Sequence, residues 1–294
     1  LNHKIVWLTE GGTNIDELDA ESFDLLKSSR EQLIAALDIE ENFNGLIDRY
    51  IALQREIADI VIKTAARGLI GWSHLRSVSQ RLNREIACLL SAARQYIDYA
   101  KHSFSVAGWD APRLRSWLSK EYDERLGYRA CEEIRDASQH RLLATQSISL
   151  GNKWVGDAPE TFEMRQHDGT LYVMPAVFRR EDPKFKRSIL DELAQIADDE
   201  GRVAFGPLLR DYLNGLAVVN ARIRKTLASE ISSCSAVFDR ALQERATEYI
   251  KILAIEGKKT IEEFPIFREL PSRYEELLSL NSSHARKFDF KIVC

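Results

Sequence analysis

The chain has 294 residues, of which 45% are hydrophobic and 29% charged, and a formal net charge of −4. That is the composition of a globular protein, long enough for one large domain or two small ones. The slight acidity excludes a general polycationic nucleic-acid coat, though a local basic patch can still steer a polyanion. No apolar run approaches the roughly 20 residues that span a bilayer, and the opening LNHKIVWLTEGG lacks the basic-then-apolar pattern of a secretory signal. Cys88, Cys131, Cys234 and Cys294 are scattered without paired spacing, so neither a disulfide framework nor a zinc site is expected. A cytoplasmic protein without metal or cofactor is the expectation.

In chain order, a short extended start with a turn at EGGT, residues 10–13, precedes a helix over 17–37 and a longer one over 42–66, whose apolar side is Ile47, Ile51, Ile57, Val61 and Ile62. The two glycines of RGLIGWSH break the pattern. From about 75 to 105, Ile86, Leu89, Leu90, Ala93, Tyr96, Ile97, Ala100 and Phe104 recur at three- and four-residue spacing, which predicts a helix with one buried stripe. Asp110 and Pro112 then suit the cap and first turn of a short helix. A further helix covers about 123–142. Beyond it β-branched and aromatic residues in TQSISLG, KWVGD and TLYVMPAVF predict a small set of strands between 144 and 179, with a hairpin turn at HDG, 167–169. Helices return over 185–199 and 206–255. FPIFREL reads as irregular, 271–280 as a short helix and the closing FDFKIVC as a strand.

The helix over 123–142 carries the chemistry worth weighing. At 100° per residue, Ile134 lies among Leu126, Ala130, Cys131, Ala137 and Ser138 on an inward face. Arg129, Glu132, Glu133, Arg135, Asp136, Gln139 and His140 share the other side, with Arg135 and His140 about 140° apart at its borders. As a solvated face this is ordinary, Asp136 and His140 forming an i, i+4 pair. As a site it suits metal-independent RNA cleavage by 2′-hydroxyl attack. Histidine titrates near neutrality and moves protons, and arginine grips phosphate oxygens in a fork. One histidine cannot be acid and base at once, so a two-fold dimer would supply the second pair.

The stretch RDASQH resembles the Arg-polar-x-x-x-His signature of the HEPN superfamily. Upstream, LNREIACLLSAARQYIDYAKHSF and SKEYDERLGYRACEEIRDASQHRLL are similar to a group of bacterial HEPN-like proteins, matching at Ser91, Arg94, Tyr96, Asp98, Glu121, Tyr122, Asp123, Tyr128, Arg129, Arg135, Gln139 and His140. The chain departs from that pattern where the usual Asn after Arg is Asp136, and where the Gly-Leu-Pro after His is RLLA. The resemblance implies an all-helical bundle, usually a homodimer with Arg and His in the cleft between protomers. Active members of that superfamily are metal-independent endoribonucleases, often toxins or defence effectors, and such an endoribonuclease is the leading expectation; the alternative is a relative that has lost catalysis and binds RNA, a nucleotide or a partner protein of a toxin–antitoxin or defence complex.

The expectation is therefore a mainly α protein: an HEPN-like helical region over 17–143, a small β insertion over 144–180, and C-terminal helices with a mixed tail over 181–294. His140 is the candidate for proton transfer and Arg135 for phosphate stabilisation, with Asp136 or Gln139 orienting them. Lys63, Arg67, Arg76, Arg81 and Arg84, in a stretch from Ile60 free of Asp and Glu, and Arg94 on the preceding helix, are candidates for guiding RNA. As a charge run the same stretch could be a solvated face. An ordinary helical scaffold is the third reading.

Overall fold

The computed structural model describes residues 1–9, 11–67, 71–140, 142–154, 165–245, 247 and 249–281, and for His140, 151–154 and 165–168 only the backbone. The described chain is mainly helical, with eight helices and two small antiparallel sheets. No helix among the described residues is long and apolar enough to cross a membrane. The residues cluster into two compact units. Among the described residues one comprises 1–44, 97–115 and 220–281; the other comprises 45–96 and 116–219.

The first unit is built around a four-stranded sheet that joins the two ends of the described chain. Strands β1 (Asn2–Thr9) and β2 (Gly12–Leu18) form a hairpin, and β1 also pairs with β6 (Tyr249–Glu256), which turns back into β7 (Lys259–Phe267); the order is β2-β1-β6-β7. The inner face carries Ile5, Ile250, Ile252, Ala254, Phe264 and Ile266, all buried, and Phe23 stacks on His3 and meets Phe264. Gly257 takes the positive φ of a two-residue hairpin loop between Glu256 and Lys259, a conformation that glycine enters without steric cost. The predicted helix over 206–255 is thus cut short: α7 ends at Gln243 and strand β6 follows. FPIFREL is also not irregular, since FPIF completes β7 and the following residues open α8 (Glu269–Leu280).

Helix α1 (Ala20–Arg67) is one element where the sequence predicts two. Asp19 caps it by accepting the Ser22 amide hydrogen at 2.7 Å. The helix runs on through 38–41, between the two predicted helices, and Ile39 there and Phe43 just beyond are buried. Within it the Glu40 carboxylate takes two hydrogen bonds from Arg224 of α7 (Phe205–Gln243), at 2.8 and 2.5 Å. Helix α2 (Gly71–Val106) stops where Gly108 turns left-handed. The Trp109 amide then reaches back to the Phe104 carbonyl at 2.9 Å while their rings meet edge to face, the hydrogen bond and apolar contact of a Schellman cap. Asp110 caps α3 (Ala111–Glu124) as predicted, accepting the Arg113 amide hydrogen at 2.9 Å.

The second unit holds the buried stripe of α2 (Val78, Leu82, Ile86, Leu89, Leu90, Ala93, Tyr96). It also holds α4 (Leu126–His140), α5 (Pro175–Glu181), α6 (Arg187–Gln195) and a three-stranded sheet, β3 (Ser147–Trp154), β4 (Arg165–Val173) and β5 (Val203–Ala204). Buried Asn83 of α2 fastens the lead into β3 by accepting the Thr145 amide hydrogen at 2.8 Å and donating to its carbonyl at 3.1 Å. HDG is not the hairpin turn: Gly169 pairs with Leu150 inside the ladder, and the connection between β3 and β4, residues 155–164, lies outside the described residues. A Cβ on Gly169 would sit 3.0 Å from a Val61 methyl group, so a side chain there requires that neighbour to give way. The predicted strand through PAVF is instead α5, with Pro175 in its first turn. The predicted closing strand FDFKIVC lies outside the described residues.

Candidate functional site

The motif helix α4 is positioned from its first residue. Asp211 of α7 accepts the Gly127 amide hydrogen at 3.0 Å and a hydrogen bond from Arg125 at 2.8 Å, while Arg125 also donates to buried Glu121 at 2.8 Å. Gly127 leaves no room for a side chain, because a Cβ would lie 2.3 Å from the Leu208 carbonyl oxygen. Ala130, Cys131, Ile134 and Ala137 are buried, as the periodicity predicts, while Leu126 and Ser138 of the same predicted face are half-buried and Tyr128 is buried beside them.

Much of the polar side of α4 is engaged by neighbouring elements: Arg129, Glu132, Glu133 and Arg135 are half-buried. Arg129 donates to the Asp123 carbonyl at the end of α3 and to Glu192 of α6, both at 2.5 Å. Glu133 accepts the Lys186 amide hydrogen at 3.2 Å and lies 3.0 Å from its ammonium, which also donates to the Tyr122 hydroxyl at 2.8 Å. Those hydrogen bonds, Tyr122 first, raise the Lys186 ammonium pKa. Glu132 is the hub: Tyr212 of α7 donates to it at 2.6 Å and Arg94 of α2 at 3.5 Å. Burial first, and the Glu132 charge second, push the Tyr212 and Tyr128 hydroxyls well up, so both remain protonated.

Arg135 belongs to this network. Its side chain is only 14% exposed; it hydrogen-bonds the Asp136 carboxylate and lies 4.0 Å from Glu132. Its Nε is buried, with no hydrogen-bond partner among the described residues. Asp136 and Gln139 are exposed. His140 is the last residue of α4, and its side chain lies outside the described residues. Arg135, Asp136 and Gln139 thus sit together at the C-terminal end of α4, with Arg94 joined to Arg135 through Glu132.

The basic stretch divides into two groups. Lys63 pairs with Asp59 at 2.7 Å, and Arg81 with Glu56 at 2.6 Å and Asp59 at 3.4 Å. Both carboxylates lie on α1 just upstream of Ile60, where the acid-free stretch begins, so Lys63 pairs within α1 while Arg81 ties α2 to α1. Arg67, Arg76 and Arg84 are exposed, and no carboxylate partner of theirs is found among the described residues. Arg67 ends α1, where a cation suits the negative pole of the helix.

Sequence reasoning missed Glu132, Asp211, Tyr212 and Lys186, which hold the motif helix. Glu132 carried a signal, being an acid one turn before the motif arginine. The others come from distant elements and carry none. Among the described residues no group of three or more His, Cys, Asp or Glu could hold a metal ion. No protein-family model, curated protein or solved structure matches the chain.

Proposed function

We propose that the chain is an HEPN-like module that binds RNA without cutting it, acting as a homodimer or with a protein partner of toxin–antitoxin or defence type. The observation that carries this reading is the state of Arg135. A guanidinium that is to stabilise a pentacoordinate phosphate must offer its fork to the substrate, whereas this one is largely buried and engaged by Asp136 beside Glu132. Arg94 is turned to Glu132 in the same way. RNA is favoured as the ligand because Arg67, Arg76 and Arg84 are exposed and without a carboxylate partner among the described residues.

The test is purified protein with total and transfer RNA in EDTA, the His140→Ala variant alongside, read for cleavage and for complex formation. Binding by both proteins with no cleavage is the expected result. Cleavage by the wild type alone, leaving 2′,3′-cyclic phosphate ends, overturns this reading.

One observation favours a second reading, a restrained metal-independent endoribonuclease. The buried Nε of Arg135 has no partner among the described residues, and Asp136, which holds the guanidinium, is 64% exposed, so it can swing away. In that reading Asp136 is a latch, His140 moves protons, Arg135 stabilises the phosphate and Gln139 orients them. Asp136→Asn, which installs the residue usual in the resembled proteins, then switches cleavage on. In the binding reading it leaves the protein silent.

A further inference from the structure

The first turns of α2 carry a one-sided pattern that neither the core nor the motif helix uses. Trp72 is 71% exposed, so its indole contributes little to packing. The Arg76 guanidinium lies 5.2 Å from the centroid of its ring. Gln80 and Arg84 follow at four-residue steps, both exposed. Such a ladder rises about 6 Å and drifts about 40° per step, so Trp72 and Arg84 bound a gently winding stripe about 18 Å long. No Asp or Glu lies between Gly71 and Arg84. The other flank of the same turns is spent on structure, with Val78 and Leu82 buried and Arg81 turned to Glu56 and Asp59.

We infer that the stripe from Trp72 to Arg84 is a contact for single-stranded nucleic acid, with a base stacked on Trp72 and the flanking phosphates taken by Arg76 and Arg84. The inference rests on the RNA-binding reading and adds the place and the strandedness. An indole stacks on any base whose face is free, which makes such contacts tolerant of sequence. In a duplex those faces are covered by neighbouring bases, so Trp72 selects unpaired strands. Arg76 over the indole places a cation beside the stacking position, where the phosphate of the stacked nucleotide arrives. Gln80 offers a neutral donor and acceptor between the two arginines. An interfacial membrane helix would need a continuous exposed apolar face opposite its cations. Here that face is buried, and Trp72 is the one apolar side chain of the ladder.

The test is binding of a labelled 12-nucleotide oligouridine and of a blunt RNA duplex of equal length, by anisotropy over a salt series. The proteins are wild type, Trp72→Ala, Trp72→Phe and Arg84→Ala; both positions are exposed, so these variants fold. Trp72→Ala is expected to weaken oligouridine binding about tenfold or more and Trp72→Phe much less, as loss and retention of one stack predict. Duplex binding should not change. Arg84→Ala should make the plot of log affinity against log salt shallower by about 0.7, one phosphate contact on a single strand. Wild-type affinity for oligouridine in Trp72→Ala overturns the stripe and leaves the RNA-binding reading standing. No binding of either RNA by the wild type overturns both.

Discussion

Three groups converge on the Glu132 carboxylate: the Tyr212 hydroxyl at 2.6 Å, Arg94 at 3.5 Å and Arg135 at 4.0 Å. With a side chain 14% exposed, Glu132 repays its own desolvation only because those donors surround it. Glu132→Ala therefore leaves a buried hydroxyl without its acceptor and two part-buried cations less neutralised. The expected loss is about 3 kcal/mol, the range for removing one member of a buried charged network. Glu132→Gln keeps an acceptor for Tyr212 and should lose less, about 1–2 kcal/mol. Urea titration checks both through the midpoint at constant slope; an alanine variant within about 0.5 kcal/mol of wild type, the range of a bland surface change, would remove Glu132 from its central place. Arg135→Ala, by contrast, removes a group whose buried Nε finds no partner among the described residues, and should cost less than Glu132→Ala. That ordering separates an arginine kept for structure from one that the structure can spare.

At the scale of elements, the contact between α4 and α7 depends on what is missing from Gly127. A Cβ there would meet the Leu208 backbone oxygen at 2.3 Å and the Asp211 Cβ at 2.7 Å, and backbone cannot turn aside as a long side chain can. Gly127→Ala must push the helices apart and loosen the Asp211 cap with them; the expected cost is about 3 kcal/mol, at the upper end of overpacking, read by the same denaturation. Stability like that of wild type would mean that α4 and α7 do not lie this close. Which elements the sequence reveals follows from the kind of signal each carries. The stripe of α2 and the Asp110 cap are local patterns, and both are present. The gap expected between 37 and 42 is closed because Glu40 there is buried against Arg224, 184 residues away, a partner no local pattern can show. The over-long α7 failed for another reason. YIKILAIE alternates with period two, and Ile250, Ile252 and Ala254 on one face are buried, but its isoleucines also extend a helical stripe that starts at Leu209. The four-stranded sheet was out of reach because its two hairpins come from opposite ends of the described chain. The candidate site shows the same division. The Arg-x4-His spacing and the inward face of α4 are written locally, while the acids and hydroxyls that engage its polar side are supplied by α6 and α7.

For the whole molecule, 41 basic and 45 acidic side chains nearly balance at pH 7, so the first loss of stability as pH falls comes from the carboxylates whose charged form folding favours. Asp19 is held below its ordinary pKa first by the Ser22 amide, Asp59 first by Lys63 and Asp198 first by the Arg202 amide. A carboxyl depressed on folding contributes stability that is present above its unfolded pKa, about 3.9 for Asp, and is lost as pH falls through the folded value. The urea midpoint should therefore hold from about pH 5 to 7 and fall below about pH 4. Asp38 acts in the opposite sense. Burial first and neighbouring Glu41 second raise its pKa, against a smaller pull from His102, so its charged form costs stability above about pH 3.9 and that cost disappears when it is protonated. Asp38→Asn removes the charge while keeping the shape. The expected outcome is a variant more stable than wild type at pH 7, with the gain shrinking as pH is lowered to 3, where both carry a neutral group. A variant less stable than wild type at pH 7 would mean that the attraction to His102 outweighs burial and the Glu41 repulsion, and the acid-side fall would then steepen by one more carboxylate.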